Sequence, residues 1–298
     1  VKKILYIVGF IVFILILKTA FPSHLSLDTK EARLLFVGDM MFDRTIRAKA
    51  QVHGYDYLFS CIKGYTKAFD VVVANLEGAI TEHESLSLTT KPGEANNTSF
   101  TFDPQVAAVL FDNNIRIVNA GNNHSLDFGR EGAESTRHFL DKAGVKYFGS
   151  PFSSLIASTT INGLRISFIN FNQFLGLSSP QKTIDAIVNA RKDSDAVFVY
   201  THWGDEYVVA NEYQKNLAYR FIDAGADMVV GSHPHVIQES EIYKGKYIFY
   251  SLGNFIFDQY WEDSVKTGSG VEVFVSPKGI KVQQKNFDIK RDGTTCLV

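Results

Sequence analysis

His233 and His235 stand two apart in Val229-Val-Gly-Ser-His-Pro-His-Val-Ile-Gln238, directly after an apolar run, Met228 to Val230, that reads as a short buried strand. Pro234 is expected to hold the segment extended, and in extended backbone residues i and i+2 project to the same side. Two neutral imidazoles converging at a strand end make half of a metal site. An isolated H-x-H pair is explained equally well as hydrogen-bonded surface histidines, but four other predicted strand ends carry groups of the same kind. They are Gly38-Asp39, Asn75-Leu-Glu77, the run Asn119 to Asp127 with Asn123, His124 and Asp127, and His202-Trp203-Gly204. Taken alone, Asp39 would serve as well to cap a helix over residues 40–50. Imidazole, carboxylate and amide oxygen together suit Mn, Fe or Zn, and fit poorly with Ca or with Cys-type zinc. The six candidates, Asp39, Glu77, Asn123, His202, His233 and His235, are too many for one tetrahedral ion. They suit two divalent ions bridged by a carboxylate, an arrangement that activates water and clamps the oxygens of a phosphoryl or carbonyl centre. Arg44, a turn beyond Asp39, is placed to meet an anionic group.

These groups need a scaffold that ends its strands at one rim. Arg33–Val37, Val71–Ala74, Ile115–Val118 and Ala196–Tyr200 are short apolar runs of the parallel-sheet type. Helices are expected at about 56–67, 103–113, 129–143, 182–192 and 212–224, the third closed by Gly144. Asn162-Gly163 between Leu155–Ile161 and Leu164–Phe171 is a strong hairpin signal, and further hairpins are expected around Gly245 and Pro277-Lys278-Gly279. The polar stretch from Thr81 to Ser99 is long for a structureless loop, and such loops are more often functional or mobile than ordinary. Strand–helix alternation broken by antiparallel hairpins points to two facing sheets with helices outside.

Composition narrows the function. The chain has 298 residues, 45% hydrophobic and 21% charged, with a formal charge of -2, which gives no electrostatic reason to expect nucleic acid. Cys61 and Cys296 are too few for a disulfide framework and do not have metal-type spacing; whether they pair is left open. Lys2-Lys3 precede an unbroken apolar run, Ile4 to Leu17, that is apolar on every face. Residues 1–21 are therefore expected to be a transmembrane signal anchor, with a cleaved signal peptide as the alternative. Positive charge ahead of the run predicts a single pass through the cytoplasmic membrane, with everything after residue 22 outside. Residues 22–32 read as a polar tether and 33–298 as the working domain.

Gly38-Asp39, Asn75-Leu-Glu77, Asn122-Asn-His-x-x-Asp127, His202-Trp-Gly, His233-Pro-His-Val-x-Gln238 and Ser251-Leu-Gly-Asn-Phe255 occur in this order. Together, over about residues 33 to 260, they resemble the CapA family of capsule-synthesis proteins. That family includes the membrane-anchored component of bacterial poly-γ-glutamate synthesis, and is itself similar to the calcineurin-like metallophosphatases. The resemblance implies an α/β fold, a four-layer αββα sandwich of metallophosphatase type. It implies Asp39 and His235 at one metal, Asn123, His202 and His233 at the other, and Glu77 bridging them. It also implies His124 as general acid, with Asp127 in the same catalytic group, and Arg44 orienting an anionic substrate. Tyr207, Asn254 and Trp203 are expected to line a substrate cleft, although packing accounts for Trp203 equally well. Met41 stands where the metallophosphatase pattern has histidine, and Glu77 where it has aspartate, so one ion or two are both open. The implied role is assistance to synthesis or export of an anionic polymer such as poly-γ-glutamate, with the membrane and synthase subunits as partners. A phosphoesterase unrelated to capsule and a non-catalytic polymer-binding module are the alternatives.

Overall fold

The computed structural model describes residues 30–91, 93–176 and 179–298. The expected anchor and most of the tether lie outside the described residues. Among those described, no helix is long and apolar enough to cross a membrane.

The first half runs β1 (Ala32–Met40), α1 (Arg44–His53), β2 (Val71–Leu76), a two-residue pair β3 (Ala79–Ile80) and β4 (Thr101–Phe102), α2 (Gln105–Asp112), β5 (Ile115–Asn119), α3 (Gly129–Ala143) and β6 (Lys146–Phe148). The second half runs β7 (Ile156–Ile161), β8 (Leu164–Asn172), α4 (Pro180–Ala190), β9 (Ala196–His202), α5 (Glu212–Asp223) and β10 (Met228–Ser232). It closes with β11 (Ser240–Tyr243), β12 (Lys246–Phe249), β13 (Asn254–Ile256), β14 (Thr267–Ser276), β15 (Gly279–Ile289) and β16 (Thr295–Leu297). One sheet has the order β16-β15-β14-β1-β2-β5-β6, with β13 also against β1; the other has the order β11-β12-β10-β9-β8-β7.

Three apolar clusters fill the three interfaces of four layers. Period-two alternation along β1 sends Leu34 and Phe36 between the sheets, where they meet Phe168, Phe198 and Met228. The same alternation sends Leu35 and Val37 to the outer face, against Ile46, Val106, Leu110 and Leu140 of α1, α2 and α3. The second sheet's outer face packs on Ile187 of α4 and on Leu217 and Phe221 of α5. The expected two-sheet sandwich with helices outside is therefore observed.

Local signals placed most boundaries. Asn162 and Gly163, at φ 51 and 77, form the tight turn between β7 and β8. Gly144 closes α3 at φ 76, Ser179 caps α4 ahead of Pro180, and Asn211 with Gln214 makes a capping box for α5. Asp43, not Asp39, caps α1: its carboxylate accepts from Arg44 N, Thr101 N at 2.9 Å and Arg47 Nε at 3.1 Å. That frees Asp39 for the site. The helix expected over 56–67 is instead a tight turn, Tyr55–Phe59, and a short helix, Lys63–Thr66. Gly64 weakens helix there, and Cys61 is bonded to Cys296 of β16, with Cα atoms 5.1 Å apart.

The cysteine pair, left open by the sequence, thus joins positions 235 residues apart. Constraining so long a loop in the unfolded chain is expected to stabilise the domain by about 2–5 kcal/mol. Chemical denaturation of a Cys61→Ser/Cys296→Ser variant should show a loss of that size; a midpoint equal to the parent's would reject it.

Candidate metal centre

Each sheet ends in a row of polar side chains set by strand register. In the first sheet Asn254, Asp39, Asn75 and Asn119 stand side by side on β13, β1, β2 and β5. In the second sheet Ser232, His202 and Asn172 stand side by side on β10, β9 and β8. Two glycines allow the close approach: a Cβ on Gly38 would fall 1.9 Å from Gly253 O, and one on Gly231 would fall 1.9 Å from Tyr250 O.

The rows meet at Asp39, Glu77 and His235. One ligand atom from each lies within 4.8 Å of the others, and all three residues are buried. Glu77 Oε1 has no hydrogen-bond partner, although it is buried. It lies 3.5 Å from His235 Nε2 and 4.0 Å from His124 Nε2. Burial raises the Asp39 carboxyl to about 6, against the opposing His233 N–H and Asn75 amide. Burial, then the neighbouring Asp39, raises Glu77 well above the carboxylate range. Burial holds His235 and His202 well below the usual imidazole value, and lowers His233 to about 4. These imidazoles are therefore neutral, the state in which they coordinate metals. Buried acceptor atoms that face one another with no donor between them are what a divalent cation requires, so the residues present fit one.

A second set adjoins the first. His202 Nε2 lies 2.7 Å from Asn123 Oδ1, and the rings of His202 and His233 have centroids 4.8 Å apart. His233 Nδ1 is buried without a partner. The structure thus brings Asp39, Glu77 and His235 together and sets His202 beside Asn123 and His233. It does so by a different route from the expected extended segment. β10 stops at Ser232, and His233 and His235 take positive φ, 97 and 58. This turn lets His233 N donate to Asp39 Oδ2 at 3.1 Å, and sends His235 toward Glu77 and His233 toward His202.

Asn75 is the group that sequence reasoning passed over. Its Nδ2 donates to Asp39 Oδ1 at 2.8 Å and lies 3.3 Å from Glu77 Oε2. Its Oδ1 accepts from Asn119 and Asn122 at 3.0 and 3.1 Å, and Asn170 donates to Asn119 at 2.8 Å. These carboxamides orient the carboxylates without adding charge. The available signal was repetition, since three successive predicted strands of the first half end in Asp or Asn.

A cleft of about 380 Å³ opens over Glu77, His124 and His235, walled in part by Ser87, Thr90 and Asn97 of the long 81–99 loop. His124 Nδ1 lies 2.8 Å from Asp127 Oδ2, so Asp127 orients the ring and Nε2 faces Glu77. Arg44 lines the cleft between the rings of Phe100 and Phe257, but its guanidinium is already paired with Asp258 at 2.5 Å. Tyr207 is at the rim, as expected. Met41 is fully buried in the helix-side core, its sulfur 2.9 Å from Asp43 N, and offers the centre no ligand.

Two expected cleft residues lie elsewhere. Asn254 is fully buried, with Oδ1 3.0 Å from His235 Nδ1, so it braces the His235 ring rather than lining the cleft. Trp203 is a core side chain against Phe221 and Tyr250, and its Nε1 donates to Tyr250 O at 2.9 Å. Trp203→Phe should cost about 1–3 kcal/mol through the lost bond and volume. It should leave ligand affinity in the cleft unchanged, as titration calorimetry would show; weakened binding with full stability would return Trp203 to the cleft.

The fold is similar to that of solved structures. NAD nucleotidase of Haemophilus influenzae superposes with a TM-score of 0.52 at 15% identity, covering 90% of this chain and 53% of that one. In sequence, the chain is 34% identical over 245 residues to PGA biosynthesis protein CapA of Bacillus subtilis, covering 76% of this chain and 63% of that protein. It is 29% identical over 256 residues to capsule biosynthesis protein CapA of Bacillus anthracis, covering 78% and 62%. The match thus spans about three-fifths of the length of these relatives. The model of the bacterial capsule synthesis protein PGA_cap family matches residues 33–259, and the chain belongs to that family.

Proposed function

We propose that this chain is an extracytoplasmic, membrane-tethered accessory protein for synthesis or export of an anionic capsule polymer, poly-γ-glutamate by the names of its relatives, and that it works through a metal-dependent hydrolytic centre. The observation that carries the chemistry is the partnerless, buried Glu77 Oε1 facing His235 Nε2. Asp39, Glu77 and His235 would hold one cation; Asn123, His202 and His233 would hold a second, with Glu77 shared. Mn, Fe or Zn suits this donor set. Such cations supply Lewis-acid polarisation of a phosphoryl or carbonyl oxygen and make water a better nucleophile. The chain's own residues do the rest. Asp127 holds His124 Nδ1, so a protonated His124 presents Nε2–H to a leaving oxygen at the cleft floor. Phe100 and Phe257 exclude water around Arg44. Arg44 helps orient an anionic group only in so far as Asp258 releases it.

The N-terminal apolar run supports the tether, and the Cys61–Cys296 bond suits an oxidising compartment outside the cytoplasm. The relatives' names support the polymer and synthase subunits as partners. A second reading, a binding or assembly module without turnover, is favoured by Met41 and by the neutralised Arg44.

Metal analysis of protein purified without chelator separates the two. About two ions per chain, lost in His233→Ala/His235→Ala, together with turnover of an ester or amide, supports the hydrolase. No metal in a folded parent supports the module. Unchanged surface polymer after gene deletion in the host would reject the capsule role.

A further inference from the structure

We propose that His235, Asn254, Gln259 and Tyr207 form a one-way hydrogen-bond chain that fixes the tautomer of His235 and lets a phenol at the cleft rim tune its metal-facing nitrogen. The metal half of this inference rests on reading Asp39, Glu77 and His235 as a cation site; the tautomer half does not.

Donors and acceptors leave one arrangement. Asn254 Nδ2 faces three acceptors, Gln259 Oε1 at 3.0 Å, Val265 O at 3.1 Å and His235 O at 3.4 Å. The orientation of that carboxamide is thereby set, and its Oδ1, 3.0 Å from His235 Nδ1, can only accept. His235 Nδ1 therefore carries the hydrogen, and Nε2 keeps its lone pair toward Glu77 Oε1. Gln259 Oε1 is occupied by Asn254, so Gln259 Nε2 donates onward, to Tyr207 Oη at 3.1 Å. The chain ends at the Tyr207 hydroxyl, beside the cleft.

Every hydrogen in this chain points away from His235 and toward Tyr207. Bonds so aligned polarise one another, most strongly where water is excluded, and His235, Asn254 and Gln259 are all buried. The far end is open: Tyr207 and Glu206 line the cleft, and Tyr207 meets the exposed Trp261 edge to face at 5.5 Å. Metal-binding histidines commonly donate their other N–H directly to a carboxylate or carbonyl. Here the N–H is held by two carboxamides in series that end at a phenol on the cleft rim. His202 has no such line, since its Nδ1 meets Ser232 Oγ, which donates to the carbonyl of Thr201. The two centres are therefore expected to respond differently to cleft occupancy. Asn254, Gln259 and Tyr207 act as positioning residues.

The test is nitrogen-15 NMR of histidine rings in the metal-free full chain, with Mn(II) affinity measured in parallel. His235→Gln identifies the resonances. The expected parent spectrum has His235 protonated on Nδ1. Asn254→Leu should release the tautomer and lower Mn(II) affinity by about 10–100-fold. Gln259→Met keeps the Asn254 bonds to Val265 O and His235 O, so it reads the chain even if Asn254→Leu fails to fold. Gln259→Met and Tyr207→Phe should both shift the His235 nitrogen resonances and weaken Mn(II) by a smaller factor. A merely structural role would change stability and leave those resonances alone. Protonation on Nε2 in the parent, or His235 resonances unmoved in Gln259→Met and Tyr207→Phe, would overturn the proposal. Resonances that move as expected in a parent that binds no Mn(II) would uphold the chain and reject the cation reading.

Discussion

His124→Ala is expected to lower turnover of an ester cleaved in this cleft by about 10²–10⁴-fold, the usual worth of a positioned general acid. The geometry behind the number is specific. His124 Nε2 is 4.0 Å from Glu77 Oε1, its Nδ1 is held by Asp127, and Phe100 lies against the ring with centroids 4.4 Å apart. The side chain is partly exposed and belongs to none of the three apolar clusters, so its removal should leave the melting temperature nearly unchanged. Asp127→Asn should produce a smaller fall, because the ring keeps its place against Phe100 but loses the carboxylate that holds its Nδ1. Asp127 also accepts from Phe100 N at 2.8 Å, so its variant is judged on rate measured beside a matched stability control. A His124→Ala rate within a few-fold of the parent, measured by single turnover, would remove His124 from the chemistry.

Glu77→Gln should separate metal binding from folding, with opposite signs. In chelator-treated protein the substitution replaces one of two buried carboxyls that face each other by a neutral group of the same shape. Burial and Asp39 make Glu77 take up a proton on folding at neutral pH; glutamine removes that cost and should raise the melting temperature. In the presence of Mn(II) or Zn(II) the parent should gain about 2.7 kcal/mol at a hundred times its dissociation constant. The variant, lacking the carboxylate shared by both positions, should gain little. Crossing of the two melting curves on metal addition is the signature to look for. Equal metal-induced shifts in parent and variant would show that Glu77 is no ligand.

The sandwich was largely legible, because its signals are local. Apolar runs of the parallel type, the Asn162-Gly163 turn and the helix closed by Gly144 depend on neighbours within a few residues. The candidate groups could be picked out for a related reason: polar side chains gathered where strands stop have few other uses. What could not be read was direction. Nothing local tells that His233 and His235 adopt positive φ and part, one toward His202 and the other toward Glu77. Asn254 and Trp203 stand in the same motifs as true site residues. Only their long-range partners, His235 and Tyr250, show that one braces the His235 ring and the other fills the core. Asn75 was overlooked because a carboxamide beside a carboxylate resembles ordinary strand-end polarity until both are seen to share Asp39. The Cys61–Cys296 pair joins positions 235 residues apart, beyond the reach of any spacing rule.

That pairing also decides what a protease could do to this molecule. Asp39 and Glu77 precede the 81–99 loop, whereas His124, His202 and His235 follow it, and the sulfur bridge joins Cys61 before the loop to Cys296 after it. A cut within the loop would therefore divide the chain between the groups of the candidate site yet release neither piece. On a gel without reductant the nicked protein would run as one species, and with reductant as two. Loss of activity after such a cut would report displacement of the cleft wall, because both halves of the centre would still be present in one covalent unit.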